Sequence, residues 1–249
     1  MKMLDIKNHH DRDDKLFFDG ETHTYMVDEI IFSSVTTLIN NLFEEFDKKK
    51  SIEFMMKGKN WETHEFYGKT VEEIESIWTI RNKKAMDEGV KLHEDIEKFL
   101  NNITVENTTI EFQYFLNFYN QHLLHVYRTE WKIFDENLKL AGTIDMCSKN
   151  SDGTLNVYDW KRSKSIRRFN NYKFSILEGV KHLMDTNFNH YALQLNLYKY
   201  ILESQYRFRV RNMYIVCLHP ENKNNDYLVY SVPKLEKEIE IIINYIKNK

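Results

Sequence analysis

The 249-residue sequence contains few of the residues that break or crosslink a chain. It has only 2 Pro and 7 Gly, and no Gly-, Ser- or Pro-rich stretch that would indicate a linker between domains. Its 2 Cys exclude a disulfide framework and a four-cysteine zinc or iron–sulfur site. The sequence therefore predicts one domain in a reducing compartment.

Segments that direct a protein to a membrane are also missing. No apolar run approaches the roughly 18 residues of a membrane span. The first residues, MKMLDIKNHHDRDD, lack the apolar core of a secretion signal and are too acidic for a transit peptide. We therefore expect an intracellular protein with no membrane partner. The abundance of Asn, Lys and Ile is consistent with AT-rich coding, as in some large DNA viruses.

The sequence is rich in apolar and aromatic residues, and its charge is unevenly distributed. Hydrophobic residues make up 42% and aromatic residues 14%, which is enough for a sizeable core. The net charge is −3, but residues 161–173, KRSKSIRRFNNYK, contain six Lys or Arg and no acid. Such a run is ordinarily a solvated loop, and the alternative is a segment that binds phosphate.

The first half of the chain is predicted to be mostly helical. The opening run LFFDGETHTYMVD (16–28) is typical of a β-hairpin, and a helix is expected at about 34–47. Segments 70–73 and 108–111 each begin with Thr and end with Glu, which is capping-box spacing. We therefore expect helices to begin at both segments.

After about residue 125 the pattern changes to strands. VYRTEWKIF, LKLAGTIDMCSK and TLNVYDWK are short β-rich runs separated by the turn sequences DEN and NSDG. They predict an antiparallel meander of three strands. A helix at 190–206, strands at 211–219 and 227–232 and a last helix with an apolar face are expected to follow. The second half is therefore predicted to be mixed α/β.

The residues that suggest chemistry lie in these strands. Side chains alternate between the faces of a strand, so Asp159 and Lys161 point to one face while Trp160 points to the other. A turn at NSDG brings Asp145, on the preceding strand, beside Asp159. Two adjacent carboxylates repel each other unless a cation lies between them, and hard oxygen ligands favour Mg²⁺ or Mn²⁺. Taken one at a time, an ordinary ion pair between Asp159 and Lys161 and a turn position for Asp145 are the simpler interpretation.

Together these residues resemble a known motif. GTID, then thirteen residues, then DWK is similar to the motif of the PD-(D/E)XK nuclease superfamily, and most similar to its RecB-like exonuclease branch. Further features resemble that branch in their order along the chain: His93 and Glu97 are one helical turn apart, and Gln194 and Tyr198 are also at i and i+4. The early segment HTYMVDEIIFSSVTTLI also resembles its relatives. The resemblance covers residues 23–200.

The resemblance implies a fold and a domain organisation. The fold class expected is α/β, with a restriction-endonuclease-like core of a central mixed sheet flanked by helices. Residues 1–249 would form a single nuclease domain. Within it, about 1–124 would be the hairpin and helical N-terminal part, and about 125–249 the catalytic α/β core.

The resemblance also implies a set of site residues. The catalytic residues would be Asp145, Asp159, Lys161, Gln194 and Tyr198. The ligands of Mg²⁺ or Mn²⁺ would be His93, Asp145, Asp159 and the backbone carbonyl of Trp160. Further candidates are Glu97, Glu130 and Ser34. The residues placed to contact the nucleic-acid backbone would be Arg162, Lys164, Arg167, Arg168 and Lys173.

The cysteines and the aromatic run FQYFLNFYN are expected to be structural. Relatives with an iron–sulfur cluster have four cysteines, so Cys147 and Cys217 predict no cluster. Both lie in β-rich runs and are expected to be small buried residues. The aromatic run is expected to be part of the core, although aromatic side chains beside a channel can also stack on single-stranded bases.

The function implied is a metal-dependent DNA exonuclease in recombination, repair or genome processing. Its substrate would be DNA that is single-stranded or has free ends. Because the sequence shows no motif for reading a particular base sequence, an exonuclease fits better than a restriction-type enzyme. A structure-selective endonuclease and a non-catalytic nucleic-acid-binding module on the same fold remain as alternatives.

Overall fold

A computed structural model describes residues 3–248. Its helices are α1 (Met3–Lys7), α2 (Val35–Asn40), α3 (Lys48–Met56), α4 (Val71–Leu100), α5 (Ile110–Gln121), α6 (Asn187–Gln205) and α7 (Glu236–Lys247). Its strands are β1 (Leu16–Asp19), β2 (Thr24–Val27), β3 (Ile30–Ser34), β4 (Val126–Asp135), β5 (Leu140–Lys149), β6 (Leu155–Lys161), β7 (Val210–Cys217) and β8 (Leu228–Ser231). Within these residues, no helix is both long and apolar enough to cross a membrane.

The chain divides into two compact units. The smaller, Glu45–Lys91, contains α3 and most of α4, and its core is built around Ile52, Phe66 and Ile74. The predicted capping box at the start of α4 is confirmed. The Thr70 backbone N–H donates to Glu73 Oε2 (2.7 Å), and the Glu73 backbone N–H donates to Thr70 Oγ1 (3.2 Å).

The larger unit comprises the residues before Glu45 and those from Leu92 onward, and it contains the whole sheet. The strand order is β1-β2-β3-β5-β6-β7-β8, with β4 also paired to β5. The opening hairpin β1–β2 and the antiparallel meander β4–β5–β6 are confirmed. Since β3 pairs with β5 and β6 pairs with β7 in parallel, the sheet is mixed, as expected.

Helices cover both faces of this sheet. On one face, α2, α6 and α7 pack through residues such as Val35, Leu197 and Ile242. On the other face, α5 and the last turns of α4 pack against Tyr158 and Trp160 of β6. The aromatic run of α5 is buried, which confirms its predicted place in the core. The fold is therefore α/β, with a central mixed sheet flanked by helices.

One predicted helix end is wrong, and one predicted capping residue is displaced by a single position. The helix expected at 34–47 ends at Asn40, because the chain then turns inward and the carbonyl of Leu42 accepts hydrogen bonds from Ser175 Oγ and the Ile176 N–H (both 2.9 Å). The helix expected to begin at Thr108 is instead capped by Thr109, whose Oγ1 accepts from the Phe112 N–H.

Candidate metal centre

The strands β5 and β6 bring the two aspartates of the predicted motif together. Their last regular pair is Met146 with Tyr158, and beyond it the backbones separate. The carboxylate of Asp145 fills this gap, since its Oδ2 accepts from the Trp160 backbone N–H at 2.7 Å. Asp145 therefore sits beside Asp159 as predicted, and it also holds the position of the Trp160 peptide.

The end of α4 adds a histidine to the cluster. Leu92 and Ile96 of this helix are buried in the same core as Trp160, and this packing directs His93 to the end of β6. His93 Nε2 lies 3.0 Å from the carbonyl oxygen of Trp160, and His93 Nδ1 lies 3.7 Å from Asp145 Oδ2. His93 and the Trp160 carbonyl, both predicted ligands, are therefore adjacent.

Glu130 completes a group of three ligating side chains. Single ligand atoms of His93, Glu130 and Asp145 lie within 4.8 Å of one another, and Glu130 Oε1 is 3.6 Å from His93 Nδ1. Its neighbours Thr129 and Trp131 pair with Met146 and Ile144, so Glu130 faces Asp145 across the strands. A cluster of two acids and an imidazole is a suitable donor set for a divalent cation.

The backbone of Glu130 is strained. Its φ is +43°, in the left-handed region that a non-glycine residue rarely adopts within a strand. Such a conformation costs about 1–3 kcal/mol and persists only where surrounding structure enforces it. Two like charges facing each other across strands are also unfavourable. Glu130 therefore has both a strained backbone and a carboxylate that faces the carboxylate of Asp145. A cation between these two carboxylates would relieve their repulsion.

Asp159 and Lys161 form a buried ion pair on the other side of the β6 backbone from Trp160. Asp159 is only 2% exposed, and its Oδ1 accepts from Lys161 Nζ at 2.7 Å. Its Oδ2 is buried with no hydrogen-bond partner among residues 3–248. A buried charged oxygen left unsatisfied is costly, so the chain provides an acceptor that is suited to an additional cation. Asp159 is not part of the group formed by His93, Glu130 and Asp145.

The electrostatics of the cluster follow from burial and close charges. Burial disfavours the charged form of His93, but the charge of Asp145 and the contact with Glu130 outweigh it and raise the pKa of His93 to about 9. Burial raises the pKa of Asp159 to about 6, against the opposing charge of Lys161. Burial also raises the pKa of Asp145. Without a metal, the imidazolium of His93 therefore acts as a counter-ion for the acids.

Gln194 and Tyr198 lie on α6 and contact each other. Gln194 Nε2 donates to the Tyr198 hydroxyl at 2.9 Å. Burial raises the pKa of Tyr198 well above its usual value, and the charges of Asp145 and Asp159 add to the shift, so this phenol is neutral and close to both carboxylates. The Tyr198 ring packs directly on Gly142, where a Cβ atom would lie 2.5 Å from Tyr198 Cε1. The glycine of GTID therefore makes room for the tyrosine.

The five basic residues predicted to contact nucleic acid have different surroundings. Arg162 Nε lies 2.7 Å from Glu111 Oε1 in a mostly buried ion pair, and exposed Lys164 pairs with Glu221 at 2.6 Å. Arg168 lies over the ring of Phe188 (4.5 Å to its centroid). The side chains of Arg167 and Lys173 are exposed. The segment is thus partly held by the fold and partly open to solvent.

The remaining predicted residues have structural surroundings. Ser34 caps α2, since its Oγ accepts from the Thr37 N–H at 3.0 Å. Glu97 is buried one turn beyond His93, outside the group that His93 forms with the two acids. Cys147 and Cys217 are free and buried, as predicted for small core residues.

One neighbour of the site, Tyr191, was not predicted. Its ring lies 4.7 Å from Lys161 Nζ, in a cation–π contact. Tyr191 precedes Gln194 by three residues and Tyr198 by seven, so all three share one face of α6. The same helical spacing that identified Gln194 and Tyr198 could have identified it.

Comparison with known proteins gives only a distant similarity. No family model and no curated protein sequence matches this chain. Among solved structures, the crystal structure of SSO0001 aligns with a TM-score of 0.37 and 13% sequence identity, over 87% of this chain and 74% of that chain. A similarity at this level carries no functional argument, so the function has to be inferred from the chemistry of the site.

Proposed function

We propose that this chain is a metal-dependent DNA exonuclease built on a PD-(D/E)XK core of the RecB-like type. The observation that carries the proposal is the cluster at the ends of β5 and β6. His93 and Asp145 lie there with Glu130 in one group of possible ligands. Asp159, on the adjacent strand, is paired with Lys161, and its second carboxylate oxygen is buried with no hydrogen-bond partner among the described residues. These four motif residues are the ones that the resemblance selected. DNA end processing in recombination, repair or genome maintenance would be its setting.

The donor set fits a divalent cation. The carboxylates of Asp145 and Asp159 and the carbonyl of Trp160 are hard oxygen donors, as Mg²⁺ and Mn²⁺ prefer. The imidazole of His93 and the carboxylate of Glu130 would complete the set, and an imidazole favours Mn²⁺ over Mg²⁺. Bound there, the metal would polarise a phosphate oxygen and lower the pKa of a water. His93 must lose its proton to act as a ligand.

The other residues of the site would act on the water and on the phosphate. The ammonium of Lys161 is held by Asp159 and by the Tyr191 ring, and it would orient the attacking water or stabilise the charge that develops on the phosphate. The neutral Gln194–Tyr198 pair can donate hydrogen bonds toward a phosphate oxygen without adding charge. Lys161 and the Gln194–Tyr198 pair are each held by contacts within the fold, and such positioning favours catalysis.

The experiment that tests this proposal uses end-labelled single- and double-stranded DNA with Mg²⁺, Mn²⁺ or a chelator. We expect metal-dependent release of nucleotides, no cleavage with chelator, and loss of cleavage in Asp159→Asn and Lys161→Ala with the fold retained. Controls are Glu240→Gln and Lys237→Ala, which make the corresponding changes at exposed positions of α7. Full activity in Asp159→Asn or Lys161→Ala would refute the site.

The same assay separates the two alternatives. A circular single strand offers no end, so cleavage of that substrate would identify an endonuclease. Binding of DNA without cleavage under any metal would identify a non-catalytic module. An exonuclease leaves the circle intact and degrades its linearised form.

A further inference from the structure

The loop Arg162–Thr186 joins two elements of the site. It follows Lys161 at the end of β6 and leads into α6, which bears Tyr191 and Gln194. Two aromatic side chains on this loop are turned outward: Phe169 is 79% exposed and Tyr172 is 92% exposed. Rings of this size are usually packed against other residues, so two rings in solvent on the loop between β6 and α6 are available to contact a ligand.

This part of the loop has a defined shape. The N–H groups of Tyr172 and Lys173 both donate to Asn170 Oδ1 (3.0 and 3.3 Å), and Asn170 Nδ2 donates to the carbonyl of Asp185 (2.9 Å). The Asp185 N–H in turn donates to the carbonyl of Lys173 (2.8 Å). The two exposed rings therefore stand on a turn that is closed by hydrogen bonds, and little ordering would be needed on binding.

The rings line a cavity together with a cationic side chain. Phe169, Tyr172, Asn170 and Arg167 line a space of about 280 Å³. Asp185 also lines this cavity, and its carboxylate forms a hydrogen bond with His190 Nε2 (2.9 Å).

Two basic residues that lie close to the rings in sequence, Arg167 and Lys173, are exposed. Within residues 3–248, Arg167 and Lys173 have no ion-pair partner, whereas Arg162 and Lys164 do. Exposed rings next to unpaired cations match a ligand with flat apolar faces and regularly spaced negative charges.

We propose that Phe169 and Tyr172 stack on the bases of a single-stranded nucleic acid while Arg167 and Lys173 contact its phosphates. In a duplex the faces of the bases are covered by neighbouring bases, whereas in a single strand they are open to aromatic side chains. Stacking does not read base identity, so the site would hold a strand of any sequence on the loop that follows Lys161. This inference rests on the proposed function in that the strand bound here would be the substrate.

The test measures binding of a fluorescent single-stranded DNA 12-mer by anisotropy, with chelator present so that no cleavage occurs. The variant F169L/Y172L keeps apolar bulk but removes both rings, and we expect its affinity to fall about tenfold or more. The matched control F169Y/Y172F keeps both rings and should bind like the wild type. A 12-mer with abasic sites keeps every phosphate but offers no bases to stack on. The wild type should bind it weakly, and F169L/Y172L should bind it with the same affinity as the wild type.

Two outcomes would overturn the inference. Wild-type affinity in F169L/Y172L would show that the rings do not stack, and an equal loss in F169Y/Y172F would show that the loss comes from a disturbed loop. Because the assay needs no cleavage, it is independent of the nuclease proposal. If the protein binds DNA through these rings but does not cleave it, only the nuclease proposal is refuted. If it cleaves DNA but binds equally well without the rings, only the stacking site is refuted.

Discussion

The contact between Gly142 and Tyr198 allows a sharp test of how the site is built. Gly142 is a buried residue of β5, and a Cβ atom placed on it would lie 2.5 Å from Tyr198 Cε1 and 3.0 Å from the Tyr198 hydroxyl oxygen. Carbon atoms in contact sit about 3.5–4.0 Å apart, so Gly142→Ala requires the ring or the strand to move by about 1 Å. Tyr198 is 3% exposed and hydrogen-bonded to Gln194, so little free space surrounds it.

The sign of the effect distinguishes this contact from an ordinary glycine position. In a strand without such a contact, Gly→Ala removes an entropic cost and stabilises the protein by roughly 0.5–1 kcal/mol. Overpacking a dense core instead destabilises it by about 1–3 kcal/mol. We therefore expect Gly142→Ala to lower the free energy of unfolding by about 1 kcal/mol, which is the central difference between these two opposing effects.

The assay is urea unfolding followed by tryptophan fluorescence. Trp131 and Trp160 are both 1% exposed and belong to the same unit as Gly142, so their part of the emission reports on that unit. Trp61 and Trp78 belong to the smaller unit and report on it. The second variant is Tyr198→Leu, which removes the ring that meets the new methyl group. If the clash is the cause, Gly142→Ala should cost much less in the Tyr198→Leu background than in the wild type. A stabilised Gly142→Ala protein, or strictly additive effects, would refute the reasoning.

Further expectations concern the cluster and the loop. His93→Ala should strongly reduce cleavage and change the ratio of Mn²⁺- to Mg²⁺-supported activity; wild-type rates in both metals would remove His93 from the site. In the metal-free protein the pKa of His93 is raised to about 9, so its protonated form stabilises the fold. This stabilisation should be complete below about pH 6.5 and should be lost as the pH rises through about 9. Unfolding of the wild type and of His93→Gln as a function of pH measures it. Tyr191→Leu should lower the cleavage rate at saturating DNA more than it weakens binding, because the ring holds Lys161 Nζ, whereas a change in binding alone would contradict that role. R167A/K173A should flatten the dependence of log affinity on log salt for single strands by about 1.4, and Lys164→Ala by less, since Lys164 already pairs with Glu221.

Features set by local periodicity could be read from the sequence. The strand alternation placed Asp159 and Lys161 on one face and Trp160 on the other, and the structure shows the first two in a salt bridge while Trp160 packs under α5. The capping box at 70–73 and the antiparallel meander were predictable for the same reason. Each depends on residues a few positions apart, whose geometry is fixed by the repeat of a helix or a strand.

Features that depend on the path of the whole backbone could not be read in this way. The left-handed conformation of Glu130 and its position beside His93 arise where β4 passes α4, far away in sequence. Arg162 appears in the sequence as one more cation of a basic run, yet its guanidinium is held by Glu111 from α5. No local pattern encodes which distant charge a side chain will meet.

The motif and the structure thus contribute different parts of the site. From the sequence, the motif resemblance selected His93, Asp145, Asp159 and Lys161, and strand alternation specified that Asp159 and Lys161 share one face. The sequence offered Glu130 only as a further candidate, and the tertiary structure decided that it lies beside His93 and Asp145. The tertiary structure also decided that one oxygen of Asp159 is left without a partner among the described residues. The physical reason is that burial and charge pairing depend on which distant segments pack together, and that packing is a property of the complete fold.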